Sequence, residues 1–95
     1  MAQQLNIERL VEFCRNHGIR RAALFGSLAR GEGRADSDID LLVTFAKPKS
    51  LLTVVRLERE LATELGRRVD LLTEESISPL IRSRIAGDLK VVYES

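Results

Sequence analysis

The stretch Asp36-Ser37-Asp38-Ile39-Asp40-Leu41-Leu42-Val43 holds three acids, two of which, Asp38 and Asp40, open the most apolar strand-like run in the chain. Charged residues are disfavoured in strands, so their place here asks for a reason. In an extended strand alternate side chains share a face. Asp38 and Asp40 therefore project to one side, and Ile39 and Leu41 to the other. At the usual rise the two Cα atoms stand ~6.6 Å apart. Both carboxylates can then lean onto one cation or a close pair of cations, and without a cation or proton they repel each other. Hard oxygen ligands with open positions suit Mg²⁺ completed by substrate phosphates. The plain alternative is a solvated loop whose acids merely cap the strand. An EF-hand loop fails twice, although Asp36, Asp38 and Asp40 mimic its first ligand positions. Leu41 stands where glycine is required, and Lys47 where the bidentate glutamate belongs.

Upstream, Ile19 to Phe25 reads as a strand broken by Gly26-Ser27, and Leu28 to Glu32 as a turn of helix. A strand that ends in Gly-Ser and enters a helical turn aims backbone N–H groups outward, where they can hold a phosphate. The turn is not a Walker A loop, because Glu32 occupies the lysine position and Gly33 the Ser/Thr position. Nor does Gly31-x-Gly33 continue into a dinucleotide fingerprint, since Asp36 replaces the third glycine. By itself a Gly-Ser pair is only a turn.

Further outward the periodicity predicts a helix from about Asn6 to His17, with Ile7, Leu10, Val11 and Cys14 as its stripe. Asn6 can cap the start and Gly18 the end. Asp38 to Phe45 is the clearest strand. A second helix, about Leu51 to Leu65, carries Leu51, Val54, Val55, Leu61, Ala62 and Leu65 on its apolar side and stops at Gly66. Val69 to Leu72 is a short strand. Ser78-Pro79 opens a helix ending near Gly87, and Lys90 to Tyr93 closes as a last strand. Helices and strands alternate throughout, which is the pattern of an α/β or α+β layer fold. Cys14 reads as core filler, and His17, with no second His or Cys near it, as a charge at a helix C-terminus.

Ninety-five residues make one domain, spanning 1–95. Fifteen Lys and Arg against fourteen Asp and Glu leave a net charge of +1, which argues against a nucleic-acid coat protein that needs a basic excess. The longest apolar run, Ala22 to Phe25, is far short of the ~20 residues that span a bilayer. Met1 to Asn6 lacks the basic and apolar regions of a secretory leader. The single cysteine forms no internal disulfide, so a cytoplasmic domain is expected. The pairs Arg20-Arg21 and Arg67-Arg68 read as solvated strand entrances.

Gly26-Ser27, ten residues, then Asp38-x-Asp40 matches the G-S-x10-D-x-D signature of polymerase-β-like nucleotidyltransferases. More narrowly, GSLARGEGRADSDIDLLV resembles the minimal nucleotidyltransferase (MNT) antitoxins, which are encoded beside HEPN-domain ribonuclease toxins. VDLLTEESISPLIRSRIAGDLKVVYE is similar to the C-terminal half of that family, so the resemblance covers nearly the whole chain. It implies a polymerase-β-like palm, a small mixed sheet with helices packed on one face. It also implies transfer of AMP from ATP to a tyrosine hydroxyl of the HEPN toxin, with two Mg²⁺ ions. Asp38 and Asp40 would ligate the metals, and Asp70, on a neighbouring strand, would complete the set and accept the hydroxyl proton. Gly26 and Ser27 would hold the triphosphate. Arg30 would either neutralise phosphate charge or pair with Glu32 or Asp36. The rival from another class is an antitoxin that neutralises its toxin by binding alone.

Overall fold

The computed structural model describes residues 6–26, 28–31 and 38–95. Its elements are α1 (Ile7–Asn16), β1 (Ile19–Phe25), β2 (Ile39–Phe45), α2 (Leu51–Leu65), β3 (Val69–Thr73), α3 (Pro79–Ile85) and β4 (Lys90–Glu94). Four strands form one mixed sheet in the order β3-β2-β1-β4. Strand β1 runs antiparallel to both β2 and β4, while β2 and β3 are parallel. The parallel pair needs a crossover, and α2 supplies it. The helix expected over 28–32 is a single turn among the described residues. Arg30 N–H donates to Gly26 C=O and Gly31 N–H to Leu28 C=O, both at 3.2 Å.

The helix ends follow local chemistry. Asn6 accepts from Arg9 N–H at 3.1 Å, Ser50 from Thr53 N–H at 3.2 Å, and Ser78 from Ile81 N–H at 3.3 Å. Each side chain satisfies a donor that the first turn leaves unpaired. At the far end of α2, Gly66 takes φ 67°, a left-handed conformation that costs glycine nothing.

Helices α1 and α2 pack on one face of the sheet. Alternation gives that face Ile39, Leu41, Val43 and Phe45 from β2, joined by Ala22 and Leu24 of β1 and by Val69 and Leu71 of β3. Leu10, Phe13 and Cys14 of α1 meet them, with Val54, Leu57 and Leu61 of α2. Burying each large side chain contributes about 1.5–3 kcal/mol before the cost of ordering the chain. Phe13 and Leu57 belong to this core although the expected stripes omit them. Leu51 and Val55, expected on the stripe, are 77% and 43% exposed. The first turn of α2 stands off from the sheet, and Leu51 faces Phe45 and Thr73 across a groove of about 330 Å³. His17 stacks on Phe13 with ring centroids 4.1 Å apart, its Nε2 3.5 Å from Glu60 Oε1.

Strands β3 and β4 lie at opposite edges, and residues 74–89 connect them. No residue of α3 is buried. Charge holds it instead. Glu74 accepts from Arg21 at 3.3 Å, from the Thr44 hydroxyl at 3.1 Å and from Arg82 of α3. Arg21 and Thr44 are register partners on the face away from α1 and α2, so Arg21 is tied into the sheet rather than being a merely solvated entrance.

Candidate active site

The site grows from the parallel pairing of β2 with β3. Their register sets Asp40 opposite Asp70, with Leu41 opposite Leu71 on the core side. Both acids therefore face away from α1 and α2. Antiparallel pairing on the other side puts Phe25 opposite Asp40. Asp40 is half-buried, while Asp38 and Asp70 are exposed.

Crowding of like charge follows. Burial pushes the Asp40 carboxyl up, the Asp70 charge and a hydrogen bond with Asp70 push it further, and the Asp38 charge adds to both. It comes to about 6. Below about pH 6 the Asp40 carboxyl carries a proton, and above it stands as a like charge beside Asp70.

Gly26 closes the site from the end of β1. Its φ is +77°, and a Cβ built there would overlap Asp40 Oδ2 and lie 3.3 Å from Asp40 Cγ. The position needs glycine for two separate reasons, backbone conformation and room for the carboxylate. The second is not visible in sequence.

Of the residues expected at the site, the structure brings Asp40, Asp70 and Gly26 together. Asp38 acts on Asp40 through its charge. Among the described residues no group of three or more His, Cys, Asp or Glu is placed to hold a metal ion. Two facing carboxylates, relieved of repulsion by a cation, nevertheless fit Mg²⁺, which binds through one or two carboxylates plus substrate oxygens. Ser27, Glu32 and Asp36 lie outside the described residues. Arg30 pairs with Asp88 at 3.0 Å, a partner 58 positions away that neither sequence alternative named. Sequence reading also passed over Glu58, whose Oε2 accepts from Leu71 N–H at 2.7 Å. An acid in a helix carries no local mark of such a bond.

The nucleotidyltransferase domain model matches residues 7–92. A Methanocaldococcus jannaschii protein provisionally named protein adenylyltransferase MJ0435 is 48% identical over 80 residues, covering 84% of this chain and 86% of its own length. A solved toxin–antitoxin complex with AMP-PNP contains a chain that superposes with a TM-score of 0.85 at 26% identity, over 96% of this chain and 75% of that one. A chain in the complex of tri-AMPylated Shewanella oneidensis HEPN toxin with MNT antitoxin does so with a TM-score of 0.78 at 25% identity, over 98% and 73%. With its domain matched from α1 to β4 and its acids paired across β2 and β3, the chain belongs to the nucleotidyltransferase domain family, in its minimal nucleotidyltransferase branch.

Proposed function

We propose that this protein is an adenylyltransferase antitoxin that moves AMP from ATP to a tyrosine hydroxyl of a HEPN ribonuclease toxin. The observation that carries the reading is the Asp40–Asp70 pair, set side by side by the β2–β3 register, with Gly26 leaving room for the Asp40 carboxylate. Similarity to a relative named for protein adenylylation, and to chains solved with AMP-PNP and with an AMPylated HEPN toxin, supports it.

Asp38, Asp40 and Asp70 would hold two Mg²⁺ ions, which when bound lower the pKa of the attacking hydroxyl and neutralise charge on the phosphates. Gly26 keeps the space beside Asp40 open, and the Gly26-Ser27 turn receives the triphosphate. The tyrosine oxygen bonds to the α-phosphorus as the bond to the pyrophosphate oxygen breaks, in line. Asp70 Oδ takes the proton that the hydroxyl loses. An AMP ester carries a charge and bulk that keep RNA phosphates out of the toxin's site. The acceptor arrives on another molecule, so the domain spanning 1–95 has only the donor and the metals to hold. A cytoplasmic place agrees with the lone, internally unpaired Cys14.

Mixing the protein with its HEPN partner, ATP and Mg²⁺, then weighing the partner intact, tests the reading. The expected result is a toxin heavier by whole AMP units, with substoichiometric antitoxin sufficient. An unmodified but fully inhibited toxin, with inhibition independent of ATP and kept by Asp38→Asn, would establish neutralisation by binding instead.

A further inference from the structure

Strand β3 carries Asp70 at the edge of the sheet, in five residues with one neighbouring strand. On its paired side, Arg68 C=O accepts from Ile39 N–H of β2 at 2.8 Å. Backbone groups alternate along a strand, so the Asp70 carbonyl also faces β2 and the Leu71 N–H faces outward. That N–H is not left to solvent. Glu58 Oε2 of α2 takes it at 2.7 Å. A bond from a backbone N–H to a carboxylate is roughly twice as strong as a neutral one.

We propose that Glu58 is a positioning residue for Asp70, fixing the Asp70–Leu71 peptide from the open side of β3 so that the Asp70 carboxylate stays against Asp40. The role rests on the reading of Asp70 given above. Leu57 and Leu61 are buried in the core, so the helix bearing Glu58 is anchored on either side of it. Repulsion among Asp38, Asp40 and Asp70 loosens the edge strand, and the Glu58 bond ties the Asp70–Leu71 peptide to α2, which is itself anchored in the core. Glu58 and Asp70 line one depression of about 280 Å³, with Arg59 and Arg68 on its wall.

Two substitutions separate positioning from charge and from bulk stability. Glu58→Gln keeps a carbonyl oxygen that can accept the bond, whereas Glu58→Ala removes it. AMP transfer to the HEPN partner gives kcat and the KM for ATP. Amide exchange of Leu71, followed by NMR without nucleotide or metal, reports the bond itself. In Glu58→Ala, kcat should fall about tenfold or more at an unchanged KM, the scale of a lost hydrogen bond to a charged group, with Leu71 exchange faster by a similar factor. Glu58→Gln should restore both to within about threefold of wild type, since a neutral acceptor retains much of the bond.

Equal loss in the two variants would mean that the charge acts directly, and would overturn the proposal. So would wild-type kcat in Glu58→Ala, or faster exchange spread evenly over all core amides. Wild-type protein that transfers no AMP would fail before any substitution is made. It would remove the adenylyltransferase reading and this role with it, which distinguishes that failure from failure of Glu58 alone.

Discussion

Two charged clusters lie on the face of the sheet away from α1 and α2, at opposite ends of β2, and they are shifted in opposite directions. At the start of the strand, Asp40 is crowded by burial, Asp70 and Asp38, and its carboxyl rises to about 6. At the far end, Glu74 is held below its ordinary value. The hydrogen bond from Arg82 lowers it most, burial pushes back, and the Thr44 hydroxyl with the charges of Arg82 and Arg21 lowers it further. The second cluster is satisfied and does structural work, pinning α3. At the first, burial and like charge both act against the ionised Asp40 carboxyl, which is the condition of a site that waits for a positive partner.

The contrast breaks most sharply at Asp40. Asp40→Asn should reduce AMP transfer by roughly a thousandfold or more, the scale of losing a principal electrostatic contact to the reacting centre. It should also stabilise the metal-free protein. Because the folded carboxyl binds its proton more tightly than the unfolded one, stability falls as pH rises from about 3.8 to about 6 and stays reduced above. Solvent reaches this carboxylate, so the gain in Asp40→Asn is about 1 kcal/mol at pH 8 and vanishes below its ordinary range. Thermal melts with chelator at pH 4 and pH 8 measure it. Equal melting temperatures for the two proteins at pH 8 would remove the claimed frustration.

Gly26→Ala tests the same end sterically. The added Cβ displaces the Asp40 carboxylate, and a left-handed φ costs a non-glycine residue about 1–2 kcal/mol. Transfer should drop by at least an order of magnitude, with melting lowered in step with the backbone cost. A variant that melts lower yet transfers normally would separate the turn from the site.

The satisfied end gives the smaller effects. Glu74→Gln should cost about 1 kcal/mol or less, the range of a solvent-accessible ion-pair network, and leave kcat within a factor of about two. The sign of its pH dependence is opposite to that of Asp40. With a lowered folded value, the contribution is present above the ordinary carboxylate range and disappears as pH falls through that lowered value. Smallest is the effect of salt. At about 1 M the Debye length contracts to about 3 Å, so Glu74→Gln and wild type should converge in melting temperature. A gap that persists in high salt would assign α3's attachment to packing.

Much of this arrangement was legible in the sequence, and the remainder failed for identifiable reasons. Strand alternation in Ile39-Asp40-Leu41 set the faces of Asp40 and of the two apolar residues correctly, because a two-residue period leaves no freedom. Asn6, Ser78 and Gly66 marked helix ends since capping is decided within a few residues. Helical periodicity gives an angle around the axis but not the distance to the sheet beneath it, so Leu51 was counted as core although a groove separates it from Phe45 and Thr73. The pairs Arg30–Asp88 and Glu58–Leu71 span 58 and 13 positions, separations at which local pattern carries no signal.

The chain's one thiol has a practical consequence. Cys14 is fully buried in α1 against the sheet, and burial pushes its thiol up to about 11. Near neutral pH the folded protein offers an attacking disulfide reagent neither a thiolate nor a path to the sulfur. Labelling proceeds only through molecules in which α1 has lifted or the chain has opened. Since no other cysteine competes, the labelling rate is an intrinsic clock for that opening, readable without a tag or an inserted probe. At low reagent concentration the clock reports the population of the open form, and at high concentration the rate at which it appears.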